Sequence, residues 1–118
     1  MVTIEITESL FEEIEQKFKR DASKVFDLIE TLKDNPKKGK VLGTVGGIII
    51  KELKYGNFRF YFITDGFKLN CLRQEDLIDL LLIFVRMSDK KHQQQTINEI
   101  KHILITIGAG GFGDYHGQ

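Results

Sequence analysis

The stretch KYGNFRFYFITDGF, residues 54–67, decides how this 118-residue chain is read. Its run from Phe58 to Ile63 alternates, and side chains of a strand point to opposite faces in turn. Phe58, Phe60 and Phe62 therefore share one face, and Arg59, Tyr61 and Ile63 share the other. One face is purely aromatic. The other sets a guanidinium beside a phenol, which is the first sign of a working surface. Asp65-Gly66 after the run reads as a hairpin signal.

Working outward, IIIKELKY (48–55) and LIDLLLIFVRM (77–87) supply two more strand-like runs, and VTIEI (2–6) a short first strand. Between the first strand and the sheet lie two helical patterns. Leu10, Phe11, Ile14 and Phe18 form one stripe, with Thr7 or Ser9 as its cap. Val25, Phe26, Ile29 and Leu32 form the second, capped near Asp21 and ended by Asn35-Pro36. The pair reads as a helical hairpin or one bent helix. KKGKVLGTVGG (37–47) reads as a glycine-rich loop. It lacks the GxxxxGK[ST] phosphate-loop pattern, so no nucleotide site is expected there. FKLNCLRQED (67–76) reads either as an extension of the hairpin or as a separate excursion. A last helix is expected over 89–108, with Ile97, Ile100, Ile103, Leu104 and Ile107 at helical spacing and Gly108 as its C-cap. The fold class is α+β. Residues 1–108 form one domain, and the Gly-rich 109–118 reads as a flexible tail.

Composition narrows the function. At 42% hydrophobic and 29% charged the chain can bury a core and is not a disordered segment. LIDLLLIFV (77–85) is broken by Asp79 and is too short for a membrane span, so no membrane association is expected. The single cysteine, Cys71, and the absence of an export signal point to the cytoplasm. His92, His102 and His116 are scattered and no HExxH or CxxC occurs, so neither a metal nor another cofactor is expected. The net charge is zero, but it is unevenly spread. Residues 1–34 hold five Lys/Arg against nine Asp/Glu, residues 35–70 seven against two, and residues 71–118 five against six. A basic middle within a neutral chain suits a local anion site.

The cations near the sheet are the chemical candidates. Arg59 lies mid-strand and Arg86 near the end of the last strand. If they converge, two guanidiniums can grip a phosphate and steady the charge that grows on it during cleavage. Tyr61 can stack on a base or donate a proton. Lys54 lies on the preceding strand, and Lys90, Lys91 and His92 stand at the start of the last helix. A histidine is suited to general acid or base work near neutral pH. Structural roles compete with each of these. Arg59 can pair across the sheet with a carboxylate such as Glu52, Arg86 can cap a sheet edge, and Lys90, Lys91 and His92 can be plain surface.

Asn35, Pro36, Gly39 and Leu42, followed by a strand, then Phe58-Arg59 with Tyr61 or Phe62, then Arg86 on a closing strand, resemble the RelE/ParE toxin superfamily in order and spacing over about residues 2–92. The resemblance implies an N-terminal strand and two helices packed on a mostly antiparallel sheet, with a C-terminal helix. It implies a toxin of a toxin–antitoxin system, partnered by a cognate antitoxin. In the RNA-cleaving branch such a toxin is a ribosome-dependent mRNA endonuclease that inhibits translation. There the ribose 2′-OH attacks the adjacent phosphate. Carried onto this chain, Arg59, Arg86 and His92 would be catalytic, and Lys54, Tyr61, Lys90 and Lys91 would bind the mRNA. The chain departs from that branch in its zero net charge, in Ile50 and Glu52 where catalytic lysines are expected, in the long 67–79 segment, and in a long last helix. These departures suit the alternative: a non-nuclease relative that binds an antitoxin and a protein target such as gyrase, or a catalytically degraded member.

Overall fold

The computed structural model describes residues 2–70 and 79–107. The elements follow in the order β1 (Thr3–Ile6), α1 (Glu8–Phe18), α2 (Ala22–Glu30), β2 (Lys40–Val45), β3 (Ile48–Tyr55), β4 (Phe58–Asp65), α3 (Gly66–Leu69), β5 (Leu81–Asp89) and α4 (Gln93–Ile107). The fold is α+β. Among the described residues the five strands form one mixed sheet in the order β1-β5-β4-β3-β2. β1 runs parallel to β5, and the other three pairings are antiparallel.

Alternation along β4 sorts the core into two layers. Phe60 and Phe62 face α1 and α2, where Leu10, Ile14, Val25, Ile29 and Leu32 pack with them. Tyr61 and Ile63 face α4, against Ile97, Ile100 and Leu104. Each large apolar side chain buried this way contributes about 1.5–3 kcal/mol. Both faces of the sheet are covered, and this is why β3 and β5 are buried over most of their length. α1 and α2 form a hairpin through a 3₁₀ turn at Lys19–Asp21, and Phe11 stacks on Phe26 with ring centroids 4.8 Å apart.

The β3–β4 connection is a two-residue turn, with Tyr55 paired to Phe58 across Gly56-Asn57. Gly56 takes φ +58°, as the first position of a type II′ turn requires. Three sequence expectations are corrected. Asp65-Gly66 does not close a hairpin: the Asp65 side chain accepts from the backbone N–H of Phe67 and Lys68 and caps α3. The same short carboxylate that favours turns serves equally as a helix cap. Residues 40–45 are not loop but the edge strand β2, whose pairing with β3 carries a bulge between Val41 and Gly43. At the starts of α1 and α2, Thr7 and Asp21 stand in the N-cap positions without a side-chain capping bond. The readings of Cys71, Gly108, His116, most of the 67–79 segment and the 109–118 tail fall outside the described residues. No described helix is long and apolar enough to cross a membrane.

Candidate functional site

The sheet register decides which chemistry-bearing side chains meet. Lys54, Arg59 and Ser88 stand in one row across β3, β4 and β5, and Glu52, Tyr61 and Arg86 in the row two positions along. α4 then folds back over the face that carries Arg59 and Tyr61. Tyr61 is fully buried, and its Oη lies 2.8 Å from Ser88 Oγ. Ser88 Oγ also donates to the Asp89 carbonyl at 2.9 Å, so the phenol is the donor in the tyrosine–serine bond. Burial is the main cause that pushes the Tyr61 phenol above its ordinary range, with the Glu52 and Asp89 carboxylates adding to it. The phenol is a structural donor held under α4 rather than a surface on which a base can stack.

Arg59 is 8% exposed and Glu52 2%. Arg59 Nε lies 4.0 Å from Glu52 Oε2, and Arg59 Nη1 approaches the Phe58 carbonyl at 3.4 Å. Glu52 Oε2 accepts the side-chain amide of Gln93, the first residue of α4, at 3.0 Å. The cross-sheet carboxylate pairing is thus the arrangement the structure contains. Arg86 turns elsewhere. Its Nη1 donates to the Val85 carbonyl at 2.9 Å, and its acidic neighbour is Glu13 of α1. Burial raises the Glu13 carboxyl, while Arg86 and Lys17 pull it back. The two arginines therefore serve different partners on different elements.

The remaining expected residues divide among three clefts. Lys90 and Lys91 line a cleft of about 450 Å³ with Lys40 of β2 and Gln93, Gln94 and Ile97 of α4. Lys40 also borders a second cleft of about 340 Å³ shared with Lys38 and Lys54. The result is a basic strip along one end of the sheet. Exposed His92 lines a third cleft, of about 330 Å³, with Glu13, Lys17 and Glu99, and meets Asp89: Nδ1 lies 2.7 Å from Oδ1, and the His92 backbone N–H donates to the same oxygen at 2.8 Å. The bond to the imidazole is the largest cause that holds Asp89 below the usual carboxylate range. An imidazole held through Nδ1 leaves Nε2 as the nitrogen that can exchange a proton with a ligand.

Sequence reasoning missed Lys38 and Lys40 as site members, because a lysine run in a loop reads as solvated surface. It also missed Lys51, which is 2% exposed. Its Nζ donates to the Lys37 carbonyl at 2.8 Å and sits 5.7 Å from the Phe62 ring centroid. Desolvation lowers its pKa. Lys51 thereby pins the 37–40 segment that presents the basic strip. Among the described residues no group of His, Cys, Asp or Glu could hold a metal ion. The chain matches no family model, no curated protein and no solved structure, so its own geometry is what bears on function.

Proposed function

We propose that this chain is a RelE/ParE-like toxin of a toxin–antitoxin pair that acts in the cytoplasm on mRNA at the ribosome, and that its working surface is the basic strip. The observation that carries this reading is the convergence of Lys40, Lys90 and Lys91 on one cleft; His92, oriented by Asp89, follows Lys91 in the chain and lines a separate cleft. Lysines are compact charges suited to an RNA backbone, and neutralising phosphates releases counterions. In a cleavage step the 2′-OH would lose its proton to His92 Nε2. Its oxygen would bond to the adjacent phosphorus, and the P–O5′ bond would break. The departing 5′ oxygen would take a proton from the imidazolium or from water. The Asp89 carboxylate would stabilise the imidazolium, and the lysines the extra phosphate charge. Acidic residues of an antitoxin could cover the same strip.

A second reading has its own observation. Arg59 and Tyr61 are buried, and Arg86 bonds apart from Arg59: its Nη1 donates to the Val85 carbonyl, whereas Arg59 Nη1 approaches that of Phe58. This favours a non-nuclease relative that uses the strip only for binding, to an antitoxin and to a target. Incubation of the purified protein with programmed ribosomes separates the two, with His92→Ala and Lys90→Ala/Lys91→Ala as variants. Cleavage abolished by His92→Ala, with ribosome binding retained, supports the endonuclease. Lysine-dependent binding without cleavage supports the second reading. Neither binding nor cleavage removes the proposal.

A further inference from the structure

Beneath the lysine cleft a buried carboxylate sets what the cleft offers a ligand. Glu52 is 2% exposed. Its Oε2 accepts from Gln93 Nε2 at 3.0 Å, while Arg59 Nε stands 4.0 Å away, beyond hydrogen-bond reach. Glu52 Oε1 is buried without a hydrogen-bond partner, so releasing the Gln93 amide as well would be costly. A carboxylate only accepts, and Glu52 therefore dictates which end of the amide turns to it. The NH2 end is held inward, and the Oε1 end is left to the cleft that Gln93 lines with Lys40, Lys90 and Lys91. Glu52 also ties in the opposite wall, since it is the register partner of Lys40 across β2 and β3. Gln94 lines the cleft too, but its amide pairs with the exposed Asn98 amide, which can turn with it and fixes no orientation.

We propose that Gln93 reads the sugar of a single-stranded RNA: its Oε1 accepts a hydrogen bond from a ribose 2′-OH next to a phosphate held by the lysines. The inference rests on the RNA reading above and adds to it the means by which RNA is told from DNA. Lysine ammoniums donate and phosphate oxygens accept, so the lysines hold either nucleic acid. The 2′-OH is the hydrogen-bond donor of the RNA backbone, and DNA lacks it. An acceptor fixed among donors is selective for that group. Because Glu52 already holds the amide in the free protein, little side-chain freedom is lost when the ribose binds. The Gln93–Glu52 bond stays intact throughout, and the contact does not depend on His92, which lines a different cleft.

The test uses the full chain and two 5′-fluorescein-labelled single-stranded decamers of one sequence at fixed low salt. One is RNA; the other is 2′-fluoro RNA, which has no hydroxyl donor at that carbon. The proteins are wild type, Gln93→Ala, which lets water reach Glu52, Gln93→Leu, which keeps the bulk, and Lys90→Ala/Lys91→Ala. Wild type is expected to bind RNA about fivefold tighter than 2′-fluoro RNA, the worth of one neutral hydrogen bond. Both Gln93 variants are expected to bind the two strands equally, and to hold the 2′-fluoro strand as wild type does, because the lysines set that affinity. A wild type that binds both strands alike, or a preference that survives both substitutions, overturns the ribose contact while lysine-dependent binding stands. Loss of 2′-fluoro binding in both Gln93 variants makes Gln93 a support of the cleft wall and overturns it as well. RNA binding absent from wild type, or untouched by loss of Lys90 and Lys91, overturns the RNA reading and the ribose contact with it.

Discussion

Tyr61 donates a 2.8 Å hydrogen bond to Ser88 across the β4–β5 pairing, in a layer that α4 closes from above. The tyrosine hydroxyl is therefore spent on holding the sheet. Tyr61→Phe keeps the ring and loses one neutral hydrogen bond, while Ser88 keeps the Asp89 carbonyl as acceptor. The expected cost is about 1 kcal/mol in urea unfolding, with RNA binding and any cleavage unchanged. A large loss of activity at unchanged stability would instead place the phenol in contact with substrate.

The basic strip makes a prediction in salt. If Lys40, Lys90 and Lys91 contact RNA phosphates, the logarithm of the binding constant should fall with the logarithm of salt concentration. Each lysine removed should flatten that slope by about 0.7 for a single strand. Lys90→Ala/Lys91→Ala should flatten it by about twice that amount, because both residues are exposed and their loss leaves the fold intact. Fluorescence anisotropy over a series of salt concentrations reads this directly. An unchanged slope would exclude the strip as the phosphate contact.

The layering of the fold was legible because alternation is a local property: Phe60 and Phe62 against Tyr61 and Ile63 can be read from four adjacent residues. β2 was not legible, since Gly43 breaks its short run of strand-favouring residues, glycines flank it on both sides, and pairing with β3 holds it. For Arg59 the sequence offered two positions, at a phosphate or paired with Glu52, and could not choose between them. Whether a strand arginine faces solvent depends on which face the last helix covers, and the contact that fixes it joins Glu52 to Gln93, 41 positions apart. Lys90, Lys91 and His92 could be assigned to a helix start from sequence, and they lie there. Their neighbours Lys38 and Lys40 arrive from the far edge of the sheet, which no local pattern announces.

Lys51 gives a prediction in pH. Its folded pKa lies below the ordinary lysine value of 10.5, through desolvation. Between the folded value and 10.5 the unfolded chain holds the proton more tightly, so this group makes stability rise with pH in that window. Lys51→Met keeps the stem over Phe62 and removes the titration. The stability of wild type relative to Lys51→Met should therefore increase as pH rises toward 10.5, by at most about 1.4 kcal/mol per pH unit. Tyr61 works the other way. Its raised pKa contributes stability that is present below its ordinary value of 10.0 and lost as pH rises through the folded value. It is common to both proteins and drops out of the difference. Urea unfolding at several pH values checks the sign, and a difference that shrinks with pH would contradict a desolvated ammonium.

Gly39 ties stability to the site. It takes φ +102°, and a Cβ there would stand 2.8 Å from the Glu52 carbonyl and 3.3 Å from the Phe62 ring. Gly39→Ala therefore meets both a left-handed backbone and a collision with backbone that cannot swing away, at an expected cost of about 1–3 kcal/mol. The strain should fall on the segment that Lys51 anchors through the Lys37 carbonyl, which carries Lys38 and Lys40. RNA affinity should drop with stability in this variant, although no phosphate-contacting side chain has been removed. Urea unfolding and anisotropy on the same sample read both quantities. Full RNA affinity in a protein destabilised by that amount would show that the strip does not depend on the conformation of its 37–40 segment.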